Sequence, residues 1–458
     1  MATDVRIVST YAPTRCGLGT FSRDLATALQ INFTGEVGAI KVAAVDDSGH
    51  DYEIPVDLVI DKHNPQSWRR GAARIEQIAS ESDNKTAILL QQEYGLDPLV
   101  EDGRIVEARG NNYVDMAWQF AKNRDLITLV YLHTVLGGDR ANNYQVRTLQ
   151  NLGKYTDGLI VTTQSAVDIL NADPYDIPLN KLNHIDHGIR TNKGDRLKIK
   201  EDIGAKDVFL ATQLGLKSPG KGVQYTIEGV AEFVDKSLRG NQRDNFCCLV
   251  AGEYHPGFVA EENGVHYRAH REDIEKRLKR SNLRWQEVDR LGDVDFRNNE
   301  FVLLDGFLDE KTLKNFYCAT NVMVMPYLEM QQISSGIGAD TLGSGRVPLS
   351  TRFRWMEEML GKGKQMGDIE VTSRGILMDP GERSVNQIAQ GLDYLVFNKA
   401  ERLKMEVSSY ERGHQMRWEY VAGNLLRHLA GISRARKNVV GRGVSFEREK
   451  ESVLNVGK

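Results

Sequence analysis

The chain has 458 residues, a formal net charge of −4, 27% charged residues and 41% apolar residues. This length gives two domains as the natural expectation, and the charge balance argues against a general nucleic-acid binder. No window approaches ~18 consecutive apolar residues, so no membrane span is expected.

The first segment, MATDVRIVSTYAPT, lacks the basic start and apolar core of a secretory signal, and its VRIVST run reads as a first strand. The Gly-rich turn RCGLGTF follows directly, with Gly17, Leu18 and Gly19 letting backbone approach a ligand. It is not a full dinucleotide fingerprint. Ser22 stands where a third glycine belongs, and no acidic residue closes a second strand ~20 residues on. A helix is expected from about Phe21 to Gln30, and VAAV, AILLQQ, ITLVYLHT and GLIVTT then come in order as strands. Gln92, Glu93 and Tyr94 end one of these, and His133 ends another. A histidine at a strand tip is open to a structural or a functional role, since ligands bind beyond the carboxyl ends of strands in sheets of this kind.

His187, Gly188 and Ile189 close the first series, and the polar stretch RTNKGDRLKIKEDIGAKD marks the boundary. The expected domains are 1–195 and 196–400, followed by helices over 401–435 and a polar tail over 436–458. The second series runs VFLATQLGL, a helix after Gly222, FCCLVAG, FVLLDGF, NVMVMPY and VPLST. Short apolar runs alternating with helical patterns argue for parallel sheets covered on both faces. The turn GLKSPGKG brings Lys217 and Lys221 to the start of a helix, where free N–H groups and a positive dipole end suit a diphosphate; a surface turn with solvated lysines is the competing reading. His255, in GEYHPG, is equally open to a turn or a ligand role. Asp309 is placed to cap the helix carrying Leu313, Phe316 and Tyr317. Past NVMVMPY, the residues Gln332, Ser334, Ser335 and Gly336 gather at a second helix start. The four cysteines, Cys16, Cys247, Cys248 and Cys318, form no CxxC and no zinc spacing, which fits a reducing, cytoplasmic setting.

Together RCGLGTF, GLKSPGKGVQYTIEGVAEF, AGEYHPG and GFLDEKTLKNFYCATNVMVMPYLEMQQISSG with GRVPLST resemble the retaining GT-B glycosyltransferases, in particular glycosyltransferase family 4. The resemblance spans nearly the whole chain. It implies an α/β chain of the GT-B fold, two Rossmann-like doubly wound parallel-sheet domains facing a cleft. The C-terminal domain would hold a nucleotide sugar and the N-terminal domain an acceptor, with the 401–435 helices crossing back. It implies a transferase that moves a sugar from a GDP- or UDP-sugar to a hydroxyl of a sugar, oligosaccharide or lipid-linked glycan, with retention. No metal and no cofactor are implied, nor nucleic acid, and peripheral membrane contact stays open.

By the same resemblance His133 and Lys221 are catalytic. Gly17, Gly19, Lys217, Lys221, Ser334, Ser335, Gly336 and Asp340 meet the donor nucleotide and phosphates. Glu93, Tyr94, His133 and Gln332 meet sugar or acceptor. Two departures from the family pattern cover three positions. Gln332 and Asp340 stand where the family has two glutamates eight positions apart, and Leu216 stands where it has an arginine. Gln332 supplies no negative charge, and Leu216 loses a bidentate phosphate clamp. A phosphorylase using a sugar 1-phosphate, and a catalytically silent nucleotide- or sugar-binding subunit, are the alternatives.

Overall fold

The computed structural model describes residues 2–14, 16–46, 49–97, 99–101, 104–107, 111–192 and 194–454, with backbone alone at 99–101, 104–107 and 437–454. The chain divides into two units, Met1–Gly188 with Trp418–Lys458, and Ile189–Arg417. The division falls at 188/189, seven residues ahead of the boundary expected from composition, and the last helix belongs to the first unit.

The first unit is built on β1 (Thr3–Ser9), β2 (Val37–Asp46), β3 (Val56–Asp61), β4 (Lys85–Gln92), the small hairpin β5 (Leu99–Glu101) and β6 (Arg104–Glu107), β7 (Leu126–Leu132), β8 (Gly158–Val161) and β9 (Leu182–His184). Its main sheet has the order β3-β2-β1-β4-β7-β8-β9, and every pairing is parallel. Helices α1 (Gly17–Asn32), α2 (Pro65–Ser80), α3 (Asn112–Phe120), α4 (Asn143–Tyr155) and α5 (Gln164–Asn171) cover its faces. The central strands are apolar throughout because both faces are buried: Leu89, Ile88, Leu129 and Val130 are fully enclosed. Helix α1 starts at Gly17, so the Gly-Leu-Gly turn forms its first turn rather than a loop before it.

The second unit carries β10 (Phe209–Leu214), β11 (Phe246–Ala251), β12 (Trp285–Val288), β13 (Phe301–Leu304), β14 (Val322–Met325), β15 (Val347–Thr351), β16 (Lys364–Met366), β17 (Ile369–Val371) and β18 (Ile376–Met378). The order is β12-β13-β11-β10-β14-β15-β18-β17-β16. It is parallel from β12 to β18, and the last two strands add an antiparallel edge. Its helices are α6 (Arg196–Asp202), α7 (Val223–Ser237), α8 (Pro256–Ala260), α9 (Val265–Arg280), α10 (Glu310–Ala319), α11 (Gly336–Gly343), α12 (Arg354–Leu360), α13 (Arg383–Phe397) and α14 (Lys399–Gln415). Helix α7 buries Val223, Ile227, Val230 and Val234 on one face, with Phe233 beside them. Each such side chain contributes about 1.5–3 kcal/mol through removal from water. Asp309 caps α10 by accepting from the Thr312 N–H at 2.7 Å, as its spacing suggests.

Helix α15 runs from Trp418 to Leu454 where a polar tail was expected from residue 436; residues 455–458 of that tail lie outside the described ones. The stretch is rich in Arg, Lys and Glu, which are good helix formers, and these prevail over Gly441 and Gly443. Its early residues Val421, Ala422, Leu425 and Leu429 join the core formed by Phe21, Leu25, Leu29 and Tyr131. At Gly188 a side chain would run into the Trp418 indole, so glycine there lets the ring lie against the backbone.

Candidate functional site

In a doubly wound sheet, ligands bind beyond the carboxyl ends of the strands where strand order reverses. In the second unit that point lies between β10 and β14, since β11 follows β10 on the other side. The Gly-rich turn leaves β10 here. It is laced to the loop after β11: the Lys217 N–H donates to the Glu253 carbonyl at 2.8 Å, and the His255 N–H donates to the Lys217 carbonyl at 2.9 Å. His255 takes the turn role, since its Nδ1 accepts from the Gly257 N–H at 3.1 Å and caps α8. Gly222, at φ +70°, opens α7, and any Cβ on it would collide with the Pro326 carbonyl just past β14. On the far side the Leu328 N–H donates to the Gly220 carbonyl at 2.9 Å. A Cβ on Gly215 would sit 3.2 Å from Ile337 Cδ1, which puts the turn against the first turn of α11.

The two lysines of this turn differ in role. Lys217 is only 4% exposed, and its Nζ lies 2.9 Å from Asp305 Oδ1 and 4.7 Å from the Tyr254 ring centre. Asp305 also accepts from Arg271, which pairs in turn with Glu287. Burial holds Lys217 below the usual lysine range against the pull of Asp305. Lys217, expected at the donor phosphates, thus has its ammonium committed to a carboxylate that ties β10 to β13. Lys221 is half-buried with its Nζ 3.8 Å from the centre of the Tyr327 ring, a cation–π contact. Burial alone pushes it down to about 8. A desolvated ammonium whose charge no carboxylate among the described residues supports gains most from an incoming anion.

Ser335 caps α11 by accepting from the Gly338 N–H at 3.1 Å and is 5% exposed. Gly336 begins the helix, whose first N–H groups have no acceptor within the helix itself. Gln332 donates through Nε2 to the Ser334 carbonyl at 2.5 Å, which fixes the loop ahead of the cap. Asp340, one turn on, accepts from the Arg190 N–H at 3.3 Å through Oδ1. Gln213 of β10 was not anticipated. Its Nε2 donates to the Lys221 carbonyl at 2.7 Å, and its Oε1 accepts from Thr226 at 2.7 Å, so it pins the lysine's backbone to the start of α7. A lone glutamine inside the apolar run FLATQL was the available signal.

In the first unit strand order reverses between β1 and β4. Gly17 and Gly19 lie in the first turn of α1, where the Cys16 sulfur accepts from the Gly19 N–H at 3.3 Å. His133 follows β7 and is 6% exposed, with Nε2 2.7 Å from Gln91 Oε1. Phe21 of α1 meets His133 edge-on at 4.9 Å, and also contacts Tyr131, His187 and Trp418. Burial, and then the neighbouring His187, push the His133 imidazole down to about 3. It is therefore neutral near pH 7, a hydrogen-bonding group rather than a charge. Glu93 accepts from Thr134 at 2.9 Å and from the Tyr94 N–H at 3.0 Å, and burial raises its carboxyl above the usual range. Among the described residues the Tyr94 hydroxyl is enclosed without a hydrogen-bond partner, as are Gln91 Nε2 and Gln92 Oε1. Glu93, Tyr94 and His133 thus lie at the tips of β4 and β7, beside the buried Gln92, which the sequence placed there, and Gln91, which sequence reasoning did not single out.

Among the described residues no cluster of three or more His, Cys, Asp or Glu is placed to hold a metal ion, and no helix is long and apolar enough to cross a membrane.

No family model matches the chain, and no curated protein matches it. Solved structures do. Anabaena HepE in complex with UDP is similar with a TM-score of 0.65 at 12% identity, over 93% of this chain and 100% of that one. The sucrose-phosphate synthase of Thermosynechococcus elongatus is similar with a TM-score of 0.63 at 14% identity, over 94% and 99%. An Escherichia coli structure described as trehalose-6-phosphate, bound with UDP-2-fluoro glucose, is similar with a TM-score of 0.64 at 12% identity, over 93% and 98%. At these identities the likeness is one of fold. With two Rossmann-like parallel-sheet domains matched over nearly its full length, the chain has the fold of the GT-B glycosyltransferases.

Proposed function

We propose that the chain is a glycosyltransferase that moves a sugar from a nucleoside-diphosphate sugar to a hydroxyl acceptor, with retention at the anomeric carbon. One observation carries the reading: the desolvated ammonium of Lys221 sits at the switch point of the second sheet, in a turn packed against the start of α11. Such a place suits a diphosphate. The nucleotides held by the similar structures, UDP in HepE and UDP-2-fluoro glucose in the Escherichia coli structure, support the same donor class. UDP and GDP are both candidates here.

In this reading the second unit takes the nucleoside diphosphate, and the first unit takes sugar and acceptor. As the bond from the anomeric carbon to phosphate oxygen breaks, its electron pair goes to that oxygen. Lys221 and the N–H groups at the start of α11 stabilise the growing charge, with Ser335 holding that turn in shape. The acceptor oxygen forms its bond on the face the phosphate leaves, and its proton passes to the departing phosphate oxygen. His133, neutral, orients a sugar hydroxyl, with Glu93 and Tyr94 beside it. Lys217 keeps the turn in place through Asp305, and Asp340 accepts from the Arg190 N–H and from ribose. Metal is not required, because lysine and helix N–H groups carry the charge.

The test is a donor panel of UDP- and GDP-sugars with the wild type and Lys221→Ala. Transfer that vanishes in the variant while its fold persists supports the reading, and unchanged turnover overturns it. A second reading has one observation in its favour: Gln332 puts a neutral amide, bound to its own loop, where the family has a carboxylate. That reading is a silent nucleotide-binding subunit, and calorimetry showing nucleotide binding without turnover on any donor would select it.

A further inference from the structure

Gln91 belongs to none of the groups assigned above, yet it is among the most enclosed polar residues of the first unit. It is 0% exposed, follows the apolar run AILL near the end of β4, and is paired directly with Tyr131 of β7. Side chains alternate along a strand, so Tyr131 and His133 share a face, and their rings stack at 6.4 Å. The Gln91 carbonyl oxygen accepts from the Tyr113 hydroxyl at 2.8 Å, which fixes its backbone. Its side-chain Oε1 lies 2.7 Å from His133 Nε2, and its Nε2 is buried with no partner among the described residues. A buried amide with an unsatisfied N–H group costs about 1–3 kcal/mol, so such a residue calls for a function.

We propose that Gln91 is a positioning residue that fixes the tautomer and ring orientation of His133. A carbonyl oxygen only accepts, so its contact requires the hydrogen on His133 Nε2 and leaves Nδ1 with a lone pair. His133 then offers an acceptor to a sugar hydroxyl and not a donor. The edge of Phe21 against the ring, 4.9 Å away, holds it from the other side. A histidine's second nitrogen is set by the bond its first nitrogen makes. The inference rests on the reading that His133 meets the transferred sugar, but its structural half stands apart from that reading.

The experiment uses full-length protein with ¹⁵N-labelled histidine, and His133→Asn identifies the His133 signals. Long-range ¹H–¹⁵N spectra between pH 5 and 9 report which nitrogen carries hydrogen. In the wild type His133 is expected to be a single Nε2–H tautomer over this range. Gln91→Leu, which keeps volume but accepts nothing, is expected to give mixed tautomers and a kcat lower by about tenfold or more, as when other partners that orient a histidine are removed. Gln91→Glu is expected to keep the Nε2–H tautomer and to make kcat pH-dependent, because a buried carboxylate favours the imidazolium. An Nδ1–H wild type, or a Gln91→Leu protein with an unchanged single tautomer, overturns the proposal. If the leucine variant fails to fold, the wild-type tautomer and the glutamate variant's pH profile decide the matter, and a flat profile counts against it. If the tautomers behave as expected but His133→Asn transfers sugar at the wild-type rate, the positioning stands and the sugar-contact reading falls.

Discussion

Gly222 and Pro326 meet so closely that a single methyl group on the glycine would strike the proline's carbonyl oxygen. The contact joins the start of α7 to the exit of β14, the two elements that flank the switch point of the second sheet. Gly222 also has φ +70°, a left-handed conformation that costs a side-chain-bearing residue roughly 1–2 kcal/mol. Gly222→Ala therefore carries two penalties at one position. Thermal unfolding is expected to show a lower Tm, and the UDP-induced rise in Tm is expected to shrink, because the turn that holds Lys221 must shift. An alanine variant with wild-type Tm and wild-type response to UDP would contradict this.

Lys221→Ala removes the ammonium without disturbing a partner carboxylate. If its contact behaves like other donors to a developing anion, kcat falls by about 10²–10³, equivalent to roughly 2.7–4 kcal/mol of barrier. Circular dichroism and Tm are expected to stay near wild type. Steady-state kinetics on the best donor, with Tm measured on the same preparation, provide the check.

The same lysine gives a pH signature. Its folded value of about 8 lies below the ordinary 10.5. Between these values the unfolded chain holds the proton and the folded chain does not, so the lysine's contribution to stability rises with pH across that window. UDP binding runs the other way, since it needs the charged form. Affinity is expected to fall above about pH 8, approaching roughly tenfold per pH unit at most. In Lys221→Met this dependence flattens. Calorimetric titrations of UDP from pH 7 to 9.5 on both proteins test the sign.

Lys217 predicts a different phenotype. Lys217→Met removes one of the two cations that meet Asp305 and leaves Arg271 as its remaining partner, so stability is expected to fall by on the order of 1–2 kcal/mol, short of the full penalty for an unpaired buried charge. Pairing it with Asp305→Leu recovers part of that loss. Denaturant unfolding of the single and double variants distinguishes this anchoring role from direct phosphate binding, in which the double variant regains stability without regaining UDP affinity.

Much of this architecture was legible because burial on both faces forces apolar runs. VRIVST, AILLQQ, ITLVYL, FCCLVA and VMVM all read as strands and are strands. The edges were not legible. Strand β3 alternates exposed with part-buried residues and encloses only Ile60, β9 has three residues, and β16 is exposed throughout. Such segments take their conformation from the neighbour they pair with, which a single chain of letters does not name. At the candidate site, Lys221 and Ser335 stood out through the glycines and small residues around them. The difference between Lys217 and Lys221 did not, because it depends on Asp305, 88 positions away in sequence and 2.9 Å away in space. Gln91 and Gln213 were hidden for a related reason: a glutamine within an apolar strand acquires meaning only from what lies beside it after folding.

The Trp418 indole resting on Gly188 has a consequence for how the protein is made. Everything needed for the second core lies in one uninterrupted stretch, whereas the first core draws Val421, Ala422, Leu425 and Leu429 from beyond that stretch. Domains ordinarily mature from the N-terminus onward during translation. Here the second unit has all its parts translated before the first does, since the core along α1 includes residues that follow Arg417.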